Sequence, residues 1–276
     1  MSADIAAILR ATDKDRYFST LVVPETARAG MQALYAFNAE VASVRDRVSE
    51  PTPGEIRLQW WVDAIKGQGH GAVNQNPVAA ALFETISRYS LPTVPLLRLI
   101  AARRFDLYDD PMPDMQSFEG YAGETVSLFY QFGAMMLNGG AVVEDGDAAG
   151  HLGVAHALIG HLKAFGYNAG KGRIFLPWAL LQANGVTEGE VFSGTVSEGL
   201  MAARGQLLEL AADHLGKAEA AIARLPKPLR PVFAPAALLR GDLRRLERVE
   251  NPFAAPTEIA DWRKIGALML WAWTKG

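Results

Sequence analysis

The sequence predicts an all-α fold, and three observations support that prediction. Apolar residues recur at intervals of three and four along almost the whole chain, which is the spacing of one helical face. No segment sustains the period-two alternation of a half-buried strand. Clusters of proline and glycine separate the apolar runs, but no long linker divides the chain. We therefore expect a single helical domain over residues 1–276.

Five helices are expected in the first part of the chain, and proline marks most of the breaks between them. Breaks lie at 49–54, 91–95 and 109–113, where proline removes a backbone donor and disfavours helix at the residue before it. In the longest of these helices, apolar residues such as Met31 and Leu34 recur at helical spacing. The expected helices are, in order, 3–12, 25–48, 54–67, 76–90 and 94–108.

Six more helices are expected in the second part of the chain. Breaks at 225–228 and 251–256 and a Gly-rich turn around Gly170 separate several of them. The last helix contains the apolar run Ile265–Trp273, whose nine residues are too few to cross a bilayer. We expect this run to pack on the core, with contact of its two tryptophans at a membrane surface as the alternative. The expected helices are 114–138, 146–167, 174–184, 194–224, 229–248 and 256–273.

Composition and charge exclude several classes of function. Half of the 276 residues are hydrophobic and 21% are charged, a balance typical of globular proteins and unlike that of disordered chains. A net charge of −3 gives no basic surface for binding nucleic acid. The lack of cysteine excludes disulfides and thiolate nucleophiles. The first residues mix acids with bases and contain no apolar stretch typical of a signal peptide, so we expect a cytoplasmic protein.

Three histidines at five-residue spacing raise the question of a metal site. His151, His156 and His161 fall on one expected helix, where residues five apart point about 140° away from one another. They cannot converge on one ion by themselves. We therefore expect them to be core or surface histidines.

Four blocks of sequence resemble the squalene/phytoene synthase family. They are Ala33–Phe37 (ALYAF), Leu58–Trp61 (LQWW), Tyr121–Val126 (YAGETV) and Gly170–Pro177 (GKGRIFLP), and the last is the most specific. The resemblance runs over nearly the whole chain. It implies the helical bundle of the isoprenoid (terpenoid) synthase fold, in which the family's enzymes join two prenyl diphosphates head to head.

The same resemblance draws attention to missing carboxylates. The family's enzymes carry an Asp-x-x-x-Asp motif on each of two facing helices, because residues four apart share a helical face and can hold Mg²⁺ together. The blocks put these motifs at Ala42 and Asp46 and at Ala164 and Asn168, so three of the four carboxylates are replaced. The resemblance thus implies no metal site, no cofactor and no catalytic residue.

Two residual family positions remain, Asp46 and Tyr121. Asp46 lies between Arg45 and Arg47 in the sequence. We expect these neighbours to neutralise its carboxylate as an ordinary surface pair.

Basic residues are retained where the family handles diphosphate, at Lys163, Lys171 and Arg173. They are candidates for binding an anionic group without metal. The alternative is that the Gly-rich turn around Gly172 only fixes the geometry of the helix end. Candidates for an apolar pocket, equally expected as core residues, are Tyr35, Val41, Phe129, Phe132 and Phe165.

Within the family, the segments Ala36–Glu50 and Gly54–Trp60 resemble the branch of respiratory complex I assembly factor 6, which also lacks the aspartate motifs. The resemblance implies a non-catalytic role in assembly of the NADH:quinone oxidoreductase. It also implies complex I subunits or assembly intermediates as partners, an isoprenoid or quinone lipid as ligand, and peripheral contact at the inner face of the membrane. Two alternatives stay open, namely a divergent prenyl transferase that uses Mg²⁺ and an isoprenoid-binding accessory protein.

Overall fold

The computed structural model describes residues 2–69, 71–144 and 146–275, and within these ranges it contains helices and no β-strand. Short 3₁₀ turns lie at Arg45–Arg47, Val73–Gln75, Arg104–Leu107 and Lys227–Phe233, and a π turn lies at Gly123–Ser127. The α-helices of the described ranges are α1 (Ser2–Thr12), α2 (Lys14–Thr20), α3 (Glu25–Ala42), α4 (Pro51–Ile65), α5 (Pro77–Tyr89), α6 (Val94–Arg103), α7 (Met115–Ala122), α8 (Leu128–Leu137), α9 (Gly146–Lys163), α10 (Phe165–Ala169), α11 (Trp178–Ala183), α12 (Glu188–Ser193), α13 (Glu198–Arg224), α14 (Pro235–Leu246) and α15 (Asp261–Lys275).

Helix α9 lies at the centre of the molecule. It packs along α13 and also contacts α7, α8, α14 and the π turn. Leu152, Leu158 and Ile159 of α9, and Leu207 and Leu215 of α13, have no exposed surface. Burial of each such side chain contributes roughly 1.5–3 kcal/mol to folding. The side chains of α9 that do not enter this core are therefore held rigidly against the neighbouring helices.

Several helix starts follow directly from local sequence. The Asn76 side chain accepts hydrogen bonds from the first backbone N–H groups of α5, and Asp114 accepts from Ser117 at the start of α7. Thr187 and Glu190 form a reciprocal capping box at α12. These side chains satisfy donors that have no partner inside the helix.

Most of the expected helices differ from the observed ones by a few residues at one end or both, and two short helices were not expected. The largest late starts among the C-terminal helices are those of 229–248, which begins at Pro235, and 256–273, which begins at Asp261. The helix expected at 25–48 ends at Ala42, so that Asp46 lies in a 3₁₀ turn instead of on α3. The helix expected at 146–167 breaks at Ala164 between α9 and α10. Helices α2 and α12 have seven and six residues, which is too short for an apolar period to be recognised.

The segment 174–177 was expected to begin a helix, and that prediction is wrong. The Ile174 carbonyl accepts a hydrogen bond from Met112 N at 2.9 Å, and Trp178 N donates to the Met112 carbonyl at 2.7 Å. Pro177 also disfavours a helical conformation at the residue before it. The segment therefore runs extended beside residues 112–113, and α11 begins only at Trp178.

The expected helix 114–138 is one helical run interrupted by the π turn between α7 and α8. Gly153 of α9 packs directly against this turn. A methyl group on Gly153 would overlap the Ser127 hydroxyl and approach the Ser127 backbone nitrogen to 2.7 Å. The close approach brings the π turn to the same face of α9 as the cleft described below.

The last helix, α15, packs on the molecule with one side only. Leu268 is buried against Phe18 and Leu238, and Trp271 is partly buried. Trp273, by contrast, is 84% exposed. The expectation that this run packs on the core is therefore correct for Trp271 and wrong for Trp273. Among the helices in the described ranges, none combines the length and the apolar character that crossing a membrane requires.

Candidate functional site

A cleft of about 310 Å³ gathers the positions that the sequence singled out. Ala42 from the end of α3, Asp46 from the 3₁₀ turn, Ala164 between α9 and α10, and Asn168 from α10 all line it. Tyr121 of α7 lines the same cleft. The two motif pairs are far apart in the sequence, and the fold brings them to the walls of one shared space.

The two carboxylates that line the cleft, Asp46 and Asp106, are both bound by cationic side chains and are not free for a magnesium ion. Ala42 and Ala164 present methyl groups, and Asn168 presents a neutral amide. Hard cations such as Mg²⁺ require oxygen ligands, usually with at least one carboxylate free to coordinate. In the part of the chain that the structure describes, no three histidine, aspartate or glutamate side chains are grouped so that they could hold a metal ion. The residues present therefore do not fit Mg²⁺.

Asp46 is held by residues from the Gly-rich turn. Its Oδ1 accepts a hydrogen bond from Arg173 Nη1 at 3.0 Å and from Lys171 Nζ at 3.4 Å. Partial burial by itself raises the pKa of the Asp46 carboxyl, but the hydrogen bond from Arg173 and the charge of Lys171 outweigh burial and hold that pKa below its usual range. The carboxylate is thus ionised and already committed to two cations.

The sequence neighbours of Asp46 have other partners. Arg45 donates to Asp109 at 3.0 Å, and Arg47 donates to Glu40 at 3.3 Å. The expectation that Arg45 and Arg47 neutralise Asp46 is therefore wrong. The reason is that the chain leaves α3 at Ala42, and the tight 3₁₀ turn directs successive side chains to different neighbours.

The shape of the Gly-rich turn explains how the two cations reach Asp46. Gly172 has φ +70°, a left-handed conformation that glycine adopts without strain. The backbone N–H groups of Lys171 and Arg173 both donate to the Asn168 carbonyl at 3.0 Å. The glycine therefore ends α10 and turns Lys171 and Arg173 back toward the cleft. Shaping the helix end and positioning the basic residues are two effects of the same turn.

Lys163 lies apart from the other two basic candidates. Its Nζ donates to Asp242 at 2.7 Å, and it lines a second, smaller cavity of about 80 Å³ together with Arg16. Arg173 lines the larger cleft instead. His156 and Gly160 of α9 line both cavities, so α9 forms the wall between them. Arg173 thus lines the larger cleft, Lys171 reaches that cleft only through its contact with Asp46, and Lys163 lines the smaller cavity.

A charged cluster that sequence analysis did not detect forms one wall of the cleft. Arg103 Nη1 donates to Tyr121 Oη at 2.6 Å and to Asp106 Oδ2 at 3.0 Å, and Tyr121 Oη donates to Asp106 Oδ1 at 2.7 Å. Burial raises the pKa of the Tyr121 phenol well above its usual value. Tyr121 is therefore a neutral hydroxyl that links a buried carboxylate to a buried guanidinium. The only sequence signal for this charged cluster was the pair Arg103 and Asp106 near a helix end.

The arginines of the cleft wall are each paired with a carboxylate, and the partner of Arg45, Asp109, lies outside the lining. Three arginines line the cleft, namely Arg45, Arg103 and Arg173, together with the carboxylates of Asp46 and Asp106. In each of the three arginines the buried Nε–H has no hydrogen-bond acceptor among the described residues. A buried donor without an acceptor is costly, so these three Nε–H groups lower the stability of the cleft wall.

The three histidines of α9 have separate environments, as the helical spacing predicted. His161 stacks on Phe175 with ring centres 5.1 Å apart. His156 shares a hydrogen bond with the Tyr130 hydroxyl at 2.7 Å. His151 instead faces His214 of α13, with Nδ1 atoms 3.1 Å apart. Burial lowers the pKa of His156 to about 3 and of His161 to about 4.

Replacement of His161 by phenylalanine is expected to reduce the acid sensitivity of the fold. The folded-state pKa of His161 is about 4, whereas the ordinary pKa of a histidine side chain is 6.5, so between those values the unfolded chain binds the extra proton. Each pH unit below 6.5 therefore lowers the free energy of unfolding by about 1.4 kcal/mol through this residue. Urea unfolding at pH 7.5 and pH 5 should show a loss about 2 kcal/mol smaller in His161→Phe than in the unmodified protein. Equal losses in both proteins would contradict the assignment.

The five apolar candidates lie in the core and not in the cleft. Tyr35, Val41, Phe129 and Phe132 are buried in the hydrophobic core. Arg16 lies over the Tyr35 and Phe129 rings at 5.3 Å and 5.6 Å from their centres. Phe165 stacks on Phe253 at 5.1 Å. None of the five lines the cleft, whose described lining combines polar and small side chains with Tyr121, Tyr167 and Phe175.

Comparison with known proteins identifies relatives along almost the full length. The family model described as squalene/phytoene synthase matches residues 9–264. Assembly factor 6 of NADH dehydrogenase (ubiquinone) complex I from Rattus norvegicus is 29% identical over 250 residues, covering 91% of this chain and 75% of the relative. The 15-cis-phytoene synthase of Synechococcus elongatus is 26% identical over 268 residues, covering 92% and 87%.

A solved structure of a related enzyme class has the same fold as this chain. A dehydrosqualene synthase crystallised with a ligand superposes with a TM-score of 0.80 at 20% identity, covering 97% of this chain and 94% of that one. At this identity the likeness concerns the fold alone. The expectation of an all-α, isoprenoid synthase-like bundle is thereby confirmed.

Proposed function

This chain belongs to the squalene/phytoene synthase family, and we propose that it is a non-catalytic member that acts in assembly of respiratory complex I. The resemblance drawn from its sequence is confirmed by the family model and by the relatives. Its similarity to complex I assembly factor 6 extends over 91% of its length. That similarity supports the assembly role.

One observation carries the non-catalytic part of the proposal. The four positions of the aspartate motifs line a single cleft, but they present two methyl groups, one amide and a carboxylate that is bound by Lys171 and Arg173. Departure of a diphosphate anion depends on metal ions that neutralise its developing charge. Loss of that stabilisation raises the barrier by several kcal/mol, which slows the reaction by orders of magnitude.

The cleft retains a binding function in this proposal. Its three arginines, together with the Lys171 ammonium group that contacts Asp46 on its wall, suit an anionic head group of an isoprenoid lipid, bound by direct hydrogen bonds instead of through metal. Arg173 is the best placed of these residues because it is buried and lines the cleft beside Asp46. Binding of this kind gives an assembly factor a ligand-dependent conformation without any reaction.

Deletion of the gene in its host tests the assembly role. We expect membranes from the deletion strain to lose most of their NADH:quinone oxidoreductase activity and their assembled complex I, while succinate oxidation is unchanged. Complementation with the unmodified gene restores both. A variant with Lys171→Gln and Arg173→Gln should complement poorly if the cleft binds an anion. A matched variant with Arg47→Gln and Lys217→Gln, which removes two surface ion pairs, should complement fully.

The similarity to a phytoene synthase makes prenyl transferase activity the second candidate function. An enzyme assay tests this activity alongside the gene deletion. Purified protein is incubated with farnesyl or geranylgeranyl diphosphate and Mg²⁺, and pyrophosphate release is measured. We expect no release above the protein-free blank. Undiminished complex I in the deletion strain, together with pyrophosphate release that Asp46→Ala abolishes, would replace the assembly role with catalysis.

A further inference from the structure

An apolar face on α15 points away from the molecule. Trp262, Met269, Leu270 and Trp273 are 69%, 49%, 58% and 84% exposed. On an α-helix these four positions fall within an arc of about 100°, and Gly266 lies in the same arc. The result is a continuous stripe with a tryptophan at each end and flexible aliphatic side chains between them.

The opposite side of α15 is firmly packed, so the stripe is not the result of a detached helix. Leu268 is buried in a cluster with Phe18 and Leu238. Lys264 donates to Asp15 at 2.6 Å, which fixes α15 against α2. Large side chains of this kind are normally buried, and tryptophan above all. The stripe is therefore not required for packing within the chain.

Basic residues surround this stripe although the chain as a whole has a net charge of −3. Helix α15 carries three basic residues, of which Lys264 is paired with Asp15 on the packed side, so Arg263 and Lys275 are the two beside the stripe. Arg263 borders the stripe with its guanidinium 5.1 Å from the Trp262 ring centre. At the far end, Arg230 donates to the Lys275 carbonyl at 3.0 Å, which adds a second cation there. Cations therefore lie at both ends of the stripe, Arg263 beside Trp262 and Arg230 with Lys275 near Trp273.

We propose that the α15 stripe is a docking surface for an anionic lipid bilayer. An amphipathic helix lying flat on a membrane buries its apolar face at the level of the headgroups and keeps its cations near anionic lipids. Tryptophan is the residue that favours this interfacial layer. The stripe is a convex helix face and not a groove, so it matches a planar surface better than a partner helix. It holds the protein on the membrane peripherally, and this inference does not depend on the assembly role.

Vesicle flotation tests the proposal with the full chain. The vesicles contain phosphatidylcholine alone or phosphatidylcholine with one part in three phosphatidylglycerol. We expect the protein to float with the anionic vesicles, to float weakly with neutral ones, and to be released by high salt. Combined replacement of Trp262, Leu270 and Trp273 by serine should weaken binding to anionic vesicles by at least about tenfold, because three interfacial side chains are lost.

A matched variant separates this surface from general hydrophobicity. Ile56, Val94 and Val142 are 66%, 55% and 73% exposed and lie elsewhere on the molecule. Their combined replacement by serine should leave flotation unchanged, and circular dichroism should show both variants folded. Equal flotation of the α15 variant and the unmodified protein would overturn the proposal. It would also be overturned if the protein ignored anionic vesicles and instead formed a dimer in sedimentation that the α15 substitutions abolish.

Discussion

Replacement of Asp106 by asparagine is expected to lower the free energy of unfolding by about 3–5 kcal/mol. Asp106 is buried, and its two carboxylate oxygens accept from Arg103 Nη1 and Tyr121 Oη. The amide keeps the shape of the side chain but removes the charge. The Arg103 guanidinium is then left in the cleft wall without its counter-ion, and that desolvated charge accounts for most of the loss. Equilibrium urea unfolding at neutral pH measures the effect.

Two further variants separate the charge from the hydrogen bonds. Tyr121→Phe removes only the hydroxyl and should cost about 1.5–3 kcal/mol, because both of its partners are charged. A double variant, Arg103→Met with Asp106→Leu, removes both charges and should be more stable than Asp106→Asn alone. A loss of less than about 1 kcal/mol in Asp106→Asn would show that water in the cleft solvates Arg103 and that the pair contributes little.

Replacement of Gly153 by alanine is expected to cost about 3 kcal/mol or more in unfolding free energy. The added methyl group overlaps the Ser127 hydroxyl and approaches the Ser127 backbone, which cannot move aside as a side-chain tip could. Relief of the overlap requires α9 to move away from the π turn. That movement also disturbs Thr125 and Val126, which line the cleft.

Gly150 supplies the matched control on the same helix. A methyl group there meets no atom within 4 Å. Gly150→Ala should therefore stabilise the protein by up to about 1 kcal/mol through helix propensity alone. The two variants differ by one turn of α9 and should have opposite signs in urea unfolding. Stabilisation by Gly153→Ala would show that α9 and the π turn are not in the close contact described above.

The sequence was sufficient to predict the helical class because the three- and four-residue period is repeated over most of the chain. It also identified Ala42, Asp46, Ala164 and Asn168 as one constellation, and the structure places all four in one cleft. The first prediction uses the apolar period within each helix, and the second uses the resemblance of the sequence blocks to the squalene/phytoene synthase family. Short elements such as α2 do not contain enough apolar positions to show the helical period, because a helix of seven residues completes only about two turns.

Pairing across the fold was harder to predict. Asp46 has basic neighbours on both sides in the sequence, yet its partners lie 125 and 127 residues further along the chain. Charge patterning is reliable for residues on one helix, where spacing fixes distance, and Asp46 lies in a turn. The exposure of Trp273 was missed for a related reason. Helix α15 is apolar on two sides, and periodicity alone does not show which side meets the core.

The pairing of Asp46 with Lys171 and Arg173 also makes the loss of the metal site difficult to reverse by mutation. A single change of Ala42, Ala164 or Asn168 back to aspartate would add one carboxylate to a cleft whose surviving acid is already neutralised. A metal ion would gain too few ligands to displace two cations, so selection would see no benefit from the first step. In the proposed non-catalytic role, a return to metal-dependent catalysis would therefore need several substitutions together.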